Sequence, residues 1–457
     1  MLPDTADTIV ALSTAPGTAA IAVIRMSGAE AVVIADKVFR GKSLSEALTH
    51  TLHFGVLADG DRQIDEVVIS LFRNPSSYTG EDVVEISCHG SEYIQQEILS
   101  LLVKKGARLA RPGEFTMRAF LHGKMDLAQA EAVADLIATS NRSMHDLAMQ
   151  QMRGGYSQVL RNLRDKLIEF GALVELELDF SEEDVEFAER GHLLKLTQNI
   201  KEVIDGLIHS FTLGNVLRSG VNTVIAGKPN AGKSTLLNAL LNEERAIVSA
   251  IAGTTRDTIE EVLNIRGIDF RLIDTAGIRD AQDEIEKVGV DRTMEKIGQS
   301  AILLYLFDVH TTDKEMLGKD LGGFIKGNYH LILVGNMIDK GLPAEKVVDF
   351  SVFGDVLYIS AKEKQNIQDL LDRMYYAVVD SDMEQSSVVV SNVRHLESLQ
   401  KARTALADII DSIEGKQGGE ITALSIRHAL NAIGEITGEV THEDVLGYIF
   451  GRFCIGK

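Results

Sequence analysis

The stretch GKPNAGKS, residues 227–234, decides the fold of the sequence around it. Two glycines, Gly227 and Gly232, are followed by Lys233 and Ser234, and this spacing is typical of a loop that wraps the phosphates of a nucleotide. The apolar run VNTVIAG comes directly before the loop, and the helical pattern TLLNALL comes directly after it. A strand, a phosphate loop and a helix in this order predict an α/β nucleotide-binding domain.

The sequence around this loop alternates between apolar runs and helical patterns. The runs are VNTVIAG, FRLIDTAG, AILLYLFDV, LILVGN and VLYISA. Such alternation predicts a doubly wound, mainly parallel sheet with helices on both faces. We therefore expect an α/β domain over residues 216–379.

Helical sequence lies on both sides of this domain. No proline occurs between Pro112 and Pro229, and none follows Pro343. Long stretches without proline and with Leu, Ala and Ile at helical spacing predict helices. The simplest interpretation is an all-α domain in two parts, 122–215 and 380–457, into which the α/β domain is inserted.

The first part of the chain has a different pattern. The short β-branched runs TIVALS, AIAVIRMS, EVVISLFR and DVVEISCHG are separated by clusters of Gly, Pro and Ser. This pattern predicts strands joined by turns, so we expect an α+β domain over residues 1–121. The whole chain is then multidomain.

Charge and cysteine content restrict the function. The 457 residues include 67 acidic and 46 basic side chains, and the formal net charge is −21. Contact with nucleic acid would therefore need a local basic patch or a partner. The only two cysteines, Cys88 and Cys454, exclude a disulfide scaffold, and Cys88 beside His89 is a weak signal for a metal.

The sequence shows no targeting or membrane segment. The N-terminal stretch MLPDTADTIVALSTAPG lacks the basic and apolar regions of a secretory signal. A membrane helix needs about 20 consecutive apolar residues, and the sequence has no such run. We therefore expect a cytoplasmic protein without membrane contact.

Further motifs follow the phosphate loop in the order that a nucleotide hydrolase needs. Asp274 begins DTAG after the run FRLID, where a carboxylate can hold Mg²⁺ through water and Gly277 can donate its N–H to the γ-phosphate. The stretch AGTTRD places Thr254 and Thr255 in a loop that can close over the γ-phosphate and Mg²⁺. In this order the short motifs support one another.

The stretches NMID and SAK are expected to recognise the base of the nucleotide. Asp339 can accept hydrogen bonds from the N–H and amino group of guanine, while Asn336 can brace the base. Ser360 and Ala361 are expected to line the base from the far side. Met337 stands where the N-K-x-D pattern has lysine, and it can replace the packing of the lysine stem but not its charge.

These motifs together resemble the GTPase domain of translation factors. Longer stretches, SSYTGEDVVEISCHG at 76–90, RPGEFTMRAFLHGKMDLAQAEAVADLI at 111–137 and the C-terminal EITGEVTHEDVLGYIFGRFCIGK, narrow the resemblance to the MnmE (TrmE) family of tRNA modification GTPases. The resemblance covers the whole chain, and Met337 is its clear departure from the family pattern.

The resemblance implies a potassium-activated GTPase that modifies the wobble uridine of certain tRNAs. The modification is a 5-aminomethyl or 5-carboxymethylaminomethyl group, made with a one-carbon tetrahydrofolate similar to 5-formyltetrahydrofolate. The implied partners are a second copy of the chain, tRNA and the FAD-dependent protein MnmG (GidA). The chain has no G-x-G-x-x-G fingerprint, so the flavin is expected on that partner. GTP hydrolysis is expected to drive pairing of the GTPase domains and domain motion.

The residue that activates water must be unusual in this chain. Ile278 stands where many small GTPases place a glutamine, and it cannot hydrogen-bond to water. The resemblance assigns this role to Glu286, acting through a bridging water, with Arg279 as an organiser. From the residues alone, Glu286 is better explained as a charge on a solvated helix face than as a catalytic group.

A potassium ion is the implied substitute for an arginine finger. The resemblance assigns its ligands to Asn230, Ser249, Thr254 and the carbonyl of Ile251, and a cation there supplies positive charge to the transition state. From the residues alone, Asn230 can also simply cap its own turn.

The expected ligands form two sets. The set for GTP is Asn230, Ala231, Gly232, Lys233, Ser234, Thr235, Ser249, Ala250, Ile251, Ala252, Gly253, Thr254, Thr255, Asp274, Thr275, Ala276, Gly277, Asn336, Asp339, Ser360 and Ala361, with Ser234 and Thr255 on Mg²⁺. The set that the resemblance implies for the folate is Arg25, Glu85, Lys124 and Lys457.

Two questions stay open from the sequence. Arg25 and Lys124 also fit ordinary surface cations, and a catalytic role of Cys454 is undecided because nothing nearby indicates a lowered thiol pKa. The rival function is a ribosome-assembly GTPase of the Era or Der kind, which would carry a basic RNA-binding module after residue 378. That part of the chain is helical in pattern and not strongly basic. A motor or polymer-forming GTPase would need long heptad repeats, which are absent from the sequence.

Overall fold

The computed structural model describes residues 7–179, 190–243, 260–274, 300–322, 324, 329–379, 388–415, 419–440 and 443–456. The chain divides into two compact units. The first unit comprises Met1–Ala138, Ala148–Thr197 and Thr404–Lys457, and the second comprises Thr139–Leu147 and Gln198–Arg403.

The first unit contains a seven-stranded sheet in the order β3-β4-β5-β6-β2-β1-β7. Its strands are β1 (Ile9–Leu12), β2 (Ile21–Ser27), β3 (Phe39–Arg40), β4 (Thr51–Asp59), β5 (Arg62–Phe72), β6 (Val83–His89) and β7 (Arg108–Leu109). The pairing of β1 with β7 is parallel, and the other described pairings are antiparallel.

Strand alternation separates the two faces of this sheet. On β6, Val84 and Ile86 are buried in the core that helices Ala31–Val38 and Glu92–Lys104 complete. Glu85 lies between them and therefore points to the opposite face, where it pairs across the strands with Arg25. The register of β2 and β6 thus brings two polar residues together on the face away from those helices.

Helices make up the rest of the first unit. Helix Leu127–Ile137 has Asp126 as its N-cap, and the Asp126 side chain accepts the N–H of Gln129 in a capping box. The remaining helices assigned wholly to this unit are Glu114–Leu121, Gly155–Asp179, Gly419–Thr437 and Glu443–Phe450. Helices Arg142–Met152, Arg190–Ser219 and Val393–Glu414 each contain a boundary between the two units.

The second unit is built on a six-stranded sheet in the order β13-β12-β11-β8-β10-β9. Its strands are β8 (Val221–Ala226), β9 (Glu260–Ile265), β10 (Ile268–Asp274), β11 (Ile302–Asp308), β12 (His330–Asn336) and β13 (Val356–Tyr358). β9 and β10 are antiparallel, and the other described pairings are parallel. Residues 302–307 of β11 are all buried, as in a strand covered on both faces.

Four helices of the second unit follow its strands and place a site at one edge of the sheet. They are Lys233–Glu243, Lys314–Leu321, Ala344–Phe350 and Ile367–Tyr376. The carboxyl ends of the parallel strands meet at this edge, where doubly wound folds bind their ligands. The predicted fold class, with an α+β part, a helical part and a mainly parallel α/β part, is confirmed. In the described part of the chain, no helix combines the length and apolarity needed to span a bilayer.

Candidate functional site

The phosphate loop is shaped by two glycines that no other residue can replace without strain. Gly227 has φ +149°, and a Cβ atom there would lie 2.1 Å from the carbonyl oxygen of Leu306. Gly232 has φ +95°, and its Cβ would lie 2.4 Å from Nδ2 of Asn336. Asn230, at the exposed tip, has φ +66°, a conformation that asparagine tolerates better than most residues. The loop can therefore turn its backbone N–H groups toward an anion.

Lys233 closes this loop with its own side chain. Its Nζ donates to the carbonyl oxygens of Gly227, 2.9 Å away, and Lys228, 3.0 Å away. Ser234 and Thr235 follow in the first turn of the helix and are exposed. The loop thus presents a positive charge, a helix N-terminus and two exposed hydroxyl groups at one edge of the sheet.

Asn336 joins three loops at this edge. Its buried side chain donates through Nδ2 to the carbonyl oxygen of Ala231 at 2.9 Å, and its Oδ1 accepts the N–H of Ala361 at 3.0 Å. The sequence predicts that Asn336 braces the base. The structure shows that its side chain holds the phosphate loop and the SAK loop beside each other.

Asp339, which the sequence predicts to recognise the base, is oriented by a neighbour. Ser360 donates to its Oδ1 at 2.7 Å, and this bond holds the pKa of the Asp339 carboxyl below its ordinary value, with Lys362 and Lys340 adding to the effect against slight desolvation. The carboxylate is therefore ionised near neutral pH and can accept from the guanine N–H and amino group. Ser360 itself accepts the N–H of Glu363 at 3.1 Å, which fixes its hydroxyl.

Met337, the departure from the family pattern, has a defined backbone. Its φ of +72° starts the short 3-10 turn Ile338–Lys340. Its carbonyl oxygen lies 3.1 Å from Nε2 of His310, and its sulfur lies 3.4 Å from Nζ of Lys340. A cation is therefore present next to Met337 even though the residue itself carries none.

The loops expected to close over the γ-phosphate are only partly covered by the structure. The backbone of Asp274 ends β10 and pairs with Ile225 of β8, which brings it to the same edge as the phosphate loop. The side chain of Asp274 lies outside the described residues. So do the predicted residues Ser249, Ala250, Ile251, Ala252, Gly253, Thr254, Thr255, Thr275, Ala276, Gly277, Arg279 and Glu286.

The residues predicted to bind folate are partly brought together in the first unit. Arg25 donates through Nε to Oε1 of Glu85 at 2.9 Å, and its guanidinium lies 5.3 Å from the ring centre of Tyr78 and 5.7 Å from that of Phe115. The Arg25 side chain is only 15% exposed. Arg25 is therefore a fixed, partly desolvated cation rather than an ordinary surface one.

The end of the chain lies next to the same sheet. A Cβ atom on Gly456, which has φ +95°, would lie 2.2 Å from the carbonyl oxygen of Leu12. The hydroxyl of Ser13 donates to the carbonyl oxygen of Gly456 at 3.3 Å. Ala11, just before these residues, pairs with Arg25 across β1 and β2. The tail therefore ends near Arg25, whereas Lys457 itself lies outside the described residues.

Lys124 lies on another loop of this unit. Its Nζ donates to the carbonyl oxygen of Pro75 at 2.9 Å, and the side chain remains exposed. A Cβ atom on Gly80 would lie 3.5 Å from the Lys124 stem. The bond to Pro75 thus holds the lysine against the loop that leads into β6, where Glu85 lies.

The two cysteines have different environments. Burial, with a smaller contribution from Asp65, raises the pKa of the Cys88 thiol to about 11, so this thiol stays protonated. His89, its neighbour, directs Nδ1 to Oδ1 of Asp65 at 2.7 Å. Cys454 is exposed, and its carbonyl oxygen accepts the N–H of Gly113 at 3.4 Å. Among the described residues, no three potential metal ligands of the His, Cys, Asp and Glu types form a cluster.

One ionic network of the first unit was missed by the sequence analysis. Arg118 is fully buried and contacts Asp7, Glu81 and Glu114, while Arg108 contacts Asp7 and Glu114. Burial alone would raise the pKa values of Asp7 and Glu114. Hydrogen bonds from Arg108, together with those from Arg118 to Asp7 and from the Arg111 N–H to Glu114, and the charges of Arg108 and Arg118 outweigh burial, so both pKa values are lowered. Nothing in the local sequence RPGEFTMRAF, residues 111–120, indicates that Arg118 is buried.

The site in the second unit defines the class of protein. A strand, a phosphate loop and a helix stand at the edge of a mainly parallel sheet, and a serine orients the ionised aspartate that the sequence predicts to recognise guanine. This combination is that of a P-loop GTPase.

Comparisons with known proteins narrow the class. A family model described as "MnmE helical domain" matches residues 127–454, and one described as "GTP-binding protein TrmE N-terminus" matches residues 8–124. The chain is 53% identical to the tRNA modification GTPase MnmE of Cytophaga hutchinsonii over 451 residues, which covers 99% of this chain and 98% of that one. It is 49% identical to the protein of the same name from Flavobacterium psychrophilum, covering 99% of each chain.

The chain belongs to the MnmE family of tRNA modification GTPases. Among solved structures, it is similar to Aquifex aeolicus Era bound to GDP and aluminium fluoride, with 26% identity and a TM-score of 0.29 over 40% of this chain and 66% of that one. This structural likeness is too low to bear on the function.

Proposed function

We propose that this chain hydrolyses GTP and thereby takes part in forming the 5-aminomethyl or 5-carboxymethylaminomethyl group on the wobble uridine of certain tRNAs. The observation that carries the GTPase part is the arrangement around Asn336, which holds the phosphate loop through Ala231 and the base loop through Ala361. Asp339, fixed by Ser360, supplies the preference for guanine. The tRNA part rests on family membership.

Magnesium would be held by Ser234 and Thr255. The exposed Ser234 hydroxyl in the first helical turn, which follows Lys233 in the sequence, fits a hard cation that prefers oxygen ligands. Bound there, Mg²⁺ supplies charge neutralisation to the β- and γ-phosphates. Lys233 exchanges its loop carbonyl partners for phosphate oxygens when the nucleotide enters.

Potassium would be held by Asn230, Ser249, Thr254 and the carbonyl of Ile251. Asn230 fits this role because it is exposed at the tip of the loop, where its amide oxygen can reach an ion beside the phosphates. A monovalent cation supplies the positive charge that an arginine finger gives in other GTPases. Glu286 then orients the attacking water through a second water, with Arg279 as organiser.

The experiment that tests this proposal compares GTP hydrolysis in potassium chloride and sodium chloride at equal ionic strength. We expect hydrolysis to be roughly 10-fold or more faster in potassium, and the Asn230→Ala variant to lose this difference. The Asn366→Ala variant is a matched control, because Asn366 also has a left-handed backbone, at φ +58°, but lies outside the phosphate loop. Equal rates in the two salts would remove the role given to Asn230 and favour an arginine supplied by a partner.

The first unit is proposed to bind the one-carbon tetrahydrofolate. Arg25, held by Glu85 near the rings of Tyr78 and Phe115, would offer a cation to the glutamate tail of the folate, and Glu85 would offer a carboxylate to its polar edge. Lys124 and Lys457 would complete the site. Cys454, which is exposed nearby on the tail, remains a candidate catalytic thiol.

The proposed organisation follows the family. The domains are an α+β domain over 1–121, a helical domain over 122–215 and 380–457, and the inserted GTPase domain over 216–379. The chain would act in the cytoplasm as a homodimer formed through the first of these domains, with MnmG (GidA) supplying FAD. Hydrolysis would pair the GTPase domains and move the domains of the chain.

The alternative is a ribosome-assembly switch of the Era or Der kind, which shares the GTPase motifs. The two proposals differ in what a strain lacking the protein would lose. Loss of the modified wobble nucleoside with normal ribosome profiles supports tRNA modification, whereas abnormal ribosome profiles with intact tRNA nucleosides support the alternative.

A further inference from the structure

Three side chains at the phosphate loop are joined by an ion pair and a hydrogen bond. Lys228, the second residue of GKPNAGKS, places its Nζ 2.8 Å from Oδ2 of Asp320. Tyr305 donates its hydroxyl to the same oxygen at 2.9 Å. We call Lys228, Asp320 and Tyr305 the rear triad. None of the three belongs to the residues assigned above to GTP.

The rear triad is built on the elements that already support the loop. Tyr305 lies on β11 and pairs with Ala226, the last residue of β8 before the loop. Its ring is buried, and burial and then the Asp320 carboxylate raise the pKa of its hydroxyl, which therefore remains a donor. Asp320 comes from the last turn of helix Lys314–Leu321. Both elements are anchored in one apolar cluster, which contains Tyr305 together with Leu317 and Leu321 of that helix.

The main chain of Lys228 takes part in the nucleotide site even though its side chain does not. Its carbonyl oxygen accepts the Nζ of Lys233 at 3.0 Å, and the carbonyl of Gly227 accepts the same group at 2.9 Å. The position of Lys228 therefore sets the place of the ammonium group expected to meet the phosphates. A side chain that fixes Lys228 also fixes the starting position of Lys233.

The two ends of the loop are then held by different residues. Asn336 holds the far end through the carbonyl oxygen of Ala231. Asp320 holds the near end through the Lys228 side chain. A loop anchored at both ends keeps its shape before the nucleotide arrives, and less ordering is needed on binding.

We propose that Asp320 is a positioning residue for nucleotide binding, which acts by holding Lys228 and, through it, the near end of the phosphate loop. This inference rests on the proposed function, since it assumes that GTP and GDP bind to this loop. Asp320 does not contact the reacting atoms. Its loss should therefore weaken binding of both nucleotides to a similar extent while hydrolysis of bound GTP continues.

The test measures the dissociation constants of GDP and of a non-hydrolysable GTP analogue, together with KM and kcat for GTP, in the full-length protein. For Asp320→Asn we expect both dissociation constants and KM to rise roughly 5-fold, and kcat to change less than about 2-fold. Asp320→Glu, which keeps the charge, should restore most of the affinity. A merely structural role would instead lower the melting temperature and the active fraction without a split between KM and kcat.

Partner variants show whether Asp320 acts through Lys228. Lys228→Met should weaken binding to a similar extent, and the Lys228→Met, Asp320→Asn double variant should be no weaker than the worse single variant. Tyr305→Phe should have a smaller effect in the same direction. Asp355→Asn is the matched control, because it breaks a 2.9 Å ion pair with Arg373 that lies outside the phosphate loop.

The outcomes separate the two levels of the proposal. If the unmodified protein binds neither GDP nor the GTP analogue, the proposed function itself is wrong. If it binds both and Asp320→Asn binds them equally well, the positioning role of Asp320 is wrong. If Asp320→Asn binds them more tightly, Asp320 instead keeps the Lys228 charge away from the phosphates, and the inference is overturned.

Discussion

Asn336 shows how one buried side chain can organise a site at the scale of a residue. It satisfies the carbonyl oxygen of Ala231 and the N–H of Ala361 at once. Its own amide would be costly to bury without both partners, because unpaired buried polar groups lose their hydration and gain nothing in return. We therefore expect asparagine to be required at position 336 for the structure of the two loops as well as for nucleotide binding.

The Asn336→Ala variant is expected to destabilise the second unit. It leaves a backbone carbonyl and a backbone N–H without their partner, and we expect a loss of about 2 kcal/mol in the free energy of unfolding together with loss of GTP binding. Denaturant unfolding and nucleotide titration measure the two effects. The exposed Asn222→Ala on β8 is the control, and an Asn336→Ala variant as stable as this control would contradict the bridging role.

Some residues of the site could be predicted from the sequence and others could not. Gly227, Lys233 and Asp339 follow from local spacing, because each acts within a short motif. Asn336, in contrast, bonds to Ala231, which lies 105 positions before it, and to Ala361, which lies 25 positions after it. The NMID motif by itself does not predict either contact. Arg118 is likewise ordinary in the sequence, and only the fold shows that it is buried among carboxylates.

Secondary structure elements were predicted best where an apolar run is long and continuous. The runs FRLID, AILLYLFDV and LILVGN became β10, β11 and β12, since buried parallel strands are apolar on both faces. Strand β9 was missed. Its sequence EEVLNI is neither a continuous apolar run nor a strict alternation, and it joins β10 through a turn at Arg266, which has φ +51°. An edge strand of this kind carries a weaker sequence signal.

The chain end offers a test at the scale of an element. In Gly456→Ala the new methyl group would lie 2.2 Å from the Leu12 carbonyl, so the tail must move away from β1. We expect binding of 5-formyltetrahydrofolate to weaken roughly 10-fold, measured by calorimetric titration. Gly354→Ala is the control, because Gly354 has φ +112° but open space around it. Unchanged binding in Gly456→Ala would separate the tail from the proposed folate site.

At the scale of the whole molecule, the two compact units differ in the interactions that stabilise them. The core of the second unit is the apolar interior of a parallel sheet. The first unit adds to its apolar core a partly buried ionic network, in which Arg118 and Glu114 are buried while Arg108 and Asp7 are partly exposed. Removing one partner of such a network is costly because it leaves a buried charge uncompensated. The two units should therefore respond differently to pH.

Acid is expected to destabilise the first unit through Asp7 and Glu114. Because their pKa values in the folded chain are lowered, their contribution to stability is complete above the ordinary carboxyl range and is lost as the pH falls through the lowered values. Hydrogen exchange should show faster opening of first-unit peptides from about pH 5 downward.

The Glu114→Gln variant provides the matched test for this pH effect. It should be less stable at neutral pH by about 3 kcal/mol and should show a flatter pH dependence. An equally steep acid response in Glu114→Gln would show that other groups control it.

The contact between Gly456 and Leu12 has a consequence for the order of synthesis. Residues 12 and 13 leave the ribosome early, whereas residue 456 is added after the whole second unit has been made. During translation, the strands that carry Arg25 and Glu85 are therefore made well before Gly456, which packs against residues 12 and 13. The sheet of the first unit can form early, but its proposed folate site can be completed only after residue 456 has been synthesised.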